Sequence, residues 1–216
     1  MISTIIFDLD GLLADTERLH SEAWRSTLAA AGVIVSAAEY AQEWTRSGLG
    51  IADYVERHRL ALDPDDLRRR KADVYRGLVK SSACAMPGAL DLLRAVHGRR
   101  PLALATSSYL ESAEAVLDRL AIGHFFEVVA TRESGLRAKP HPDLLLYVTE
   151  QLGVAPARCV VLDDAEKGIL AADAAGMKSI AVPTADTRDN DFSKATLVVS
   201  SLAEVTLELL DALGEG

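Results

Sequence analysis

From Pro87 onward, short apolar runs alternate with amphipathic stretches, and few architectures accommodate that rhythm. Strand-length apolar runs fall at residues 102–105, 127–130, 160–162, 179–182 and 197–199. Helix-patterned stretches fall at 89–96, 109–120, 143–152 and 166–175. Strands that alternate with helices pair in parallel and are covered by the helices on both faces. The pattern predicts an α/β fold with a doubly wound, mostly parallel sheet and a Rossmann-like core.

One more strand precedes this region. Ile2, Thr4, Ile5, Ile6 and Phe7 form an apolar, β-branched run that stops at Asp8 and Asp10, with Gly11 behind them. Between residues 16 and 82 no strand pattern occurs. Leu19, Ala23, Leu28 and Ala31 recur at helical spacing after Asp15, an N-cap candidate, and Gly32 closes that helix. Further helices are predicted at 37–46, 51–61 and 64–80, the last opened by Asp63 and Pro64. The expected organisation is a core domain of residues 1–15 and 83–216, with a small all-helical domain, 16–82, inserted after the first strand. Ser108-x-x-Glu111 and Ser201-x-x-Glu204 read as capping boxes that open later helices.

Composition narrows the function. A formal net charge of −9 argues against non-specific nucleic-acid binding, which needs a basic face. The run Arg68-Arg69-Arg70-Lys71 follows Asp63, Asp65 and Asp66 and is expected to be a solvated helix face. Cys84 and Cys159 are expected to be buried thiols, with no disulfide framework. No basic leader precedes Asp8, and no apolar stretch approaches ~18 residues. These features point to a cytoplasmic protein with neither a membrane nor a nucleic-acid partner, and a monomer is expected.

The polar clusters carry the chemistry. Each lies at or after the carboxyl end of a predicted strand: Asp8 and Asp10, then Thr106 and Ser107, then Lys139, then Asp163 and Asp164. In an open parallel sheet those ends share one rim, where ligands bind. Two acid pairs on one rim repel each other and suit a hard cation such as Mg²⁺. A hydroxyl, the N–H groups at a helix start and a lysine can hold a phosphoryl group. A carboxylate beside both is placed to attack phosphorus.

This set resembles the four motifs of the haloacid dehalogenase superfamily, in its phosphatase and β-phosphoglucomutase-like branch. The matching stretches are residues 8–17, 104–108, 139–143 and 162–164, the last continuing through Gly168 and on to Met177. The resemblance covers nearly the whole chain and implies that the helical insert is a cap. It also implies hydrolysis of a small phosphorylated metabolite, such as a sugar or polyol phosphate, through an aspartyl-phosphate. Asp8 would be the nucleophile, and Asp10 the general acid and then the base. Thr106 and the Ser107 backbone would hold phosphoryl oxygens near Gly11, and Lys139 would offset charge. Asp8, Asp164 and the Asp10 carbonyl would ligate Mg²⁺, with Asp163 reaching the metal directly or through water. Family members often carry Glu-Asp-Ser where this chain has Asp163-Asp164-Ala165.

His20 either faces the acid/base aspartate, as in mutase-like relatives, or is an exposed helix histidine. Arg46, ahead of Gly48 and Gly50, is a candidate for gripping the leaving group. Trp24 and Trp44 are expected to pack the insert, His141 to constrain its loop, and His58, His97 and His124 to lie at the surface or at element ends. Mutase-like relatives carry an arginine and a lysine where this chain has Ile51 and Tyr109, which disfavours a mutase. A dehalogenase needs no acid at Asp10 and no metal. A non-catalytic binding protein on the same fold is the remaining alternative.

Overall fold

The computed structural model describes residues 2–46, 49–132 and 135–214. The chain divides into two compact units, residues 1–15 with 84–216 and residues 16–83. Ala83, expected in the core, groups with the helical unit because its N–H still bonds the Val79 carbonyl (3.1 Å) at the end of a helix.

The core unit is built on one sheet in the order β3-β2-β1-β4-β5-β6. Its strands are β1 (Thr4–Phe7), β2 (Leu102–Ala105), β3 (Val128–Ala130), β4 (Cys159–Asp163), β5 (Lys178–Ala181) and β6 (Leu197–Val198). Every neighbouring pair is parallel. β1, β2 and β4 are buried along their whole length, which is why their sequences are mostly apolar and do not alternate. The sheet order reverses direction at β1. Phe7 pairs with Leu104 on one side and with Leu162 on the other, so Asp8 emerges between β2 and β4 at the topological switch point.

The core helices are α5 (Ala89–Val96), α6 (Leu110–Leu120), α7 (Asp143–Leu152), α8 (Glu166–Ala174) and α9 (Leu207–Leu213). Leu144, Leu145 and Val148 of α7 and Ala171 and Ala172 of α8 pack on Ile6, Ala103, Ala105 and Val161 of the sheet. Two capping boxes are corrected. Ser201 opens only a 3-10 turn, Leu202–Glu204, and α9 starts later, where Thr206 Oγ1 accepts from Leu209 N. α6 begins after Tyr109 with no side-chain cap, because the Ser108 hydroxyl is engaged elsewhere. Cys84 is exposed, whereas Cys159 is buried in β4.

The core closes on itself where the helical unit is inserted. Asp15 N donates to Cys84 O at 2.9 Å, Ala14 bridges Ala85, and Met86 N donates to Leu13 O at 3.0 Å. Among the described residues, no helix is long and apolar enough to cross a membrane.

The helical unit contains α1 (Glu17–Ala30), α2 (Ala37–Tyr40), α3 (Ile51–Arg57) and α4 (Pro64–Ser82), with α2 continuing as a π-helical turn, Ala41–Arg46. The position before α1 is Thr16, not Asp15, and it makes no side-chain cap bond. Leu28, Tyr40, Ile51, Tyr54 and Leu67 form the core of this unit, with Trp24 and Trp44 packed against it. Trp44 stacks on Tyr40 (centroids 5.2 Å) and leans on Tyr54 (4.4 Å), so both tryptophans pack the insert.

Candidate active site

Three strand ends and one loop supply the site. Asp8 N donates to Leu162 O (3.0 Å), and Thr106 N to Ala130 O (3.0 Å), so each residue extends its strand by one ladder bond. Asp8, Thr106, Lys139, Asp163 and Asp164 are all buried. The loop carrying Lys139 is closed by a two-pronged ion pair, Arg137 Nε and Nη2 to Asp143 Oδ2 and Oδ1, each 2.9 Å, and the Lys139–Pro140 peptide is cis.

Lys139 Nζ lies 2.7 Å from Asp8 Oδ1 and 2.6 Å from Asp163 Oδ2. Asp163 is thus fixed at both oxygens, since its Oδ1 accepts from Ala165 N at 3.0 Å. Carboxylate oxygens of Asp8, Asp163 and Asp164 lie within 4.8 Å of one another, the only such acid cluster among the described residues. Burial drives the Asp8 pKa up to about 7. The Lys139 charge opposes that rise, while Asp163 and Asp10 add to it. Burial pulls Lys139 down, but the charges of Asp163 and Asp8 outweigh it and raise its pKa, so the ammonium is retained.

One lysine therefore faces three buried acids. That excess of negative charge, on hard oxygen donors, fits a divalent cation of the Mg²⁺ type. Two glycines make room for the acids. A Cβ on Gly11, whose φ is +82°, would lie 2.6 Å from Asp164 Oδ2; one on Gly168 would lie 1.8 Å from Asp163 Oδ2. Gly11, expected beside the phosphate, is thus packed against Asp164.

Asp10 has a different environment. It lies outside the acid cluster, and its Oδ2 accepts from Ser108 Oγ at 2.7 Å, with Thr106 Oγ1 more distant at 3.4 Å. Thr106 Oγ1 also accepts from Ser108 N at 3.0 Å. Beside them, Ser107 Oγ is buried without a hydrogen-bond partner, an orphaned donor between Thr106 and Ser108.

His20 is not an exposed helix histidine. It is half-buried and stacks on Tyr75 (4.2 Å), with Nδ1 2.8 Å from Lys71 Nζ. Lys71 does not share the solvated basic face. It is buried, with its ammonium 4.1 Å over the Tyr75 ring, whereas Arg68, Arg69 and Arg70 pair with Asp65 and Asp66. The Arg46 side chain and Gly48 lie outside the described residues. Sequence reasoning also missed Thr187, whose hydroxyl approaches Asp164 Oδ2 (3.4 Å) from the loop after β5. Nothing in the sequence marks it.

A model of the haloacid dehalogenase-like hydrolases matches residues 2–176, and the chain belongs to that family. Within it, the chain falls in the branch of phosphatases and β-phosphoglucomutases. Fructose-1-phosphate phosphatase YqaB of Escherichia coli (strain K12) is 37% identical over 183 residues, covering 82% of this chain and 95% of that protein. The crystal structure of CbbY from Rhodobacter sphaeroides in complex with phosphate superposes with a TM-score of 0.88 at 32% identity, covering 98% of this chain and all (100%) of that one. β-Phosphoglucomutase from Clostridium difficile gives 0.82 at 26% identity, covering 100% and 98%.

Proposed function

We propose that this enzyme is a Mg²⁺-dependent phosphatase of a small sugar or polyol phosphate, acting through an aspartyl-phosphate on Asp8. The observation that carries this reading is the separation of two neighbouring carboxylates into unlike environments. Asp8 is held by Lys139 within an acid cluster, whereas Asp10 is held by hydroxyls outside it. Carboxylates whose surroundings differ in this way take different chemical roles.

Asp8 attacks phosphorus while Asp10 gives its proton to the departing ester oxygen, and the Asp8–phosphorus bond forms as the ester bond breaks. Asp10, now ionised, takes a proton from water as the water oxygen attacks phosphorus and releases Asp8. Lys139 keeps Asp8 oriented and offsets charge on the phosphoryl oxygens. Ser107 Oγ, buried without a hydrogen-bond partner among the described residues, is available to those oxygens. A cation held by Asp8, Asp164 and the Asp10 carbonyl, with Asp163 beside it, would supply Lewis-acid polarisation of the phosphoryl group. The helical unit carries His20 and Arg46 as candidates for selecting the leaving group. The relative named for fructose 1-phosphate supports the sugar-phosphate class. The test is phosphate release from a panel of phosphorylated sugars and polyols, with and without Mg²⁺. Absence of release from every member would overturn the reading.

One observation favours the mutase as a second reading. Tyr109 stands where mutase-like relatives carry a lysine, yet the Arg132 guanidinium lies 5.3 Å over its ring. A cation is thus present near that position, supplied from the end of β3. The buried Ile51, at the other expected charge, still favours hydrolysis.

A further inference from the structure

We propose that Ser108 is the positioning residue for Asp10, holding its carboxyl in the plane from which it exchanges protons with the leaving group and with water. The proposal rests on the reading of Asp10 as general acid and base. Sequence alone assigns Ser108 to a helix cap, but α6 has no side-chain cap and the hydroxyl points to Asp10.

The backbone of Ser108 is fixed on both sides. Its N–H donates to Thr106 Oγ1 at 3.0 Å, and its carbonyl accepts from Arg132 N at 3.1 Å. The side chain therefore leaves a rigid corner between β2 and α6. Its Oγ–Asp10 Oδ2 distance of 2.7 Å is that of a well-formed hydrogen bond, while Thr106 Oγ1 stands 3.4 Å from the same oxygen.

The Ser108 hydroxyl engages one oxygen of the carboxyl, Oδ2, so the contact fixes the orientation of Asp10 while the other oxygen exchanges the proton.

The consequence depends on the leaving group. Breaking an alkyl phosphate ester needs a proton from Asp10, whereas p-nitrophenolate leaves without one. The kcat/KM value reports the chemistry up to transfer onto Asp8. Ser108→Ala should therefore lower kcat/KM for the fastest sugar phosphate by about tenfold to a hundredfold, with KM little changed. The loss with p-nitrophenyl phosphate should be several-fold smaller. Because the base step is slowed as well, that substrate should give a burst of p-nitrophenol equal to the enzyme concentration. Ser108→Thr, which keeps the hydroxyl, should restore most of the sugar-phosphate activity. If Ser108→Ala does not fold, Ser108→Cys, whose thiol donates weakly, is measured in its place.

Equal losses on both substrates, no loss on either, or failure of Ser108→Thr to recover activity would each overturn the proposal. A wild-type enzyme that releases phosphate from neither substrate would instead overturn the phosphatase reading beneath it.

Discussion

Gly168 and Asp163 occupy the same corner of the core: a methyl group on the glycine would lie 1.8 Å from the carboxylate oxygen that Lys139 holds. Gly168 lies inside α8, where alanine is favoured by about 1 kcal/mol. The clash outweighs that preference, because Asp163 is bonded at both oxygens and has nowhere to go. Gly168→Ala should displace Asp163, loosen Lys139 and lower both kcat and melting temperature, with destabilisation of about 1–3 kcal/mol. Thermal denaturation and steady-state kinetics on one preparation check this. A gain in stability with full activity would show that the corner is not as tight as described.

Asp8→Asn should abolish turnover with the fold intact, since an amide oxygen is a poor nucleophile. Asp10→Asn should cost ~10²–10⁴-fold through loss of acid–base help. Circular dichroism and phosphate-release assays measure both, and substantial activity in the Asp8 variant would remove it from the mechanism.

Metal binding should depend on pH through Asp8. Its pKa is raised from 3.8 to about 7, so the metal-free fold favours the protonated form. The stability linked to that proton is fully present below the unfolded value and is lost as pH rises through about 7. Mg²⁺ competes for the same oxygen, so its affinity should rise by up to about tenfold per pH unit below that value and level off above it. Melting temperatures with and without Mg²⁺ at pH 5.5 and pH 8 give the sign. The Mg²⁺-induced rise should be larger at the higher pH, and an equal or smaller rise would contradict the linkage.

The two acids after β4 should separate when mutated. Asp164→Ala should raise the Mg²⁺ concentration needed for half-maximal activity by about 10–100-fold. Asp163→Ala frees Lys139 to swing on Asp8 alone, so it should act chiefly on kcat. Calorimetric Mg²⁺ titration of both variants distinguishes them, and matching affinity losses would make Asp163 a direct ligand of equal weight.

Incubation with β-glucose 1-phosphate and a trace of glucose 1,6-bisphosphate should release phosphate and build up little glucose 6-phosphate. Rapid glucose 6-phosphate formation, abolished in Arg132→Ala, would install Arg132 as the distal phosphate grip and the mutase as the reaction.

The parallel sheet and the positions of Asp8, Asp10 and Asp164 were legible because burial on both faces demands long apolar runs, and a carboxylate ending such a run stands out. Ser108 was not. A serine three residues before a glutamate at a helix start satisfies a cap and a contact with Asp10 equally well on paper, and only the geometry separates them. Lys71 was hidden in a charged run, because helix periodicity turns one member inward while its neighbours stay in solvent. Thr187 reaches Asp164 across 23 residues, through a loop whose path no local pattern encodes.

The backbone seam at Asp15 and Cys84 makes the core a socket. The N–H of one residue meets the carbonyl of the other at 2.9 Å, so the chain departs and returns at adjacent points of a structure that is already hydrogen-bonded shut. Whatever is spliced there has only to begin and end a few ångströms apart. A foreign helical module with neighbouring termini, or a short glycine-rich bridge, can be grafted without re-registering a single strand. The inserted unit and the sheet are thereby left separable, as exchangeable parts of one chain.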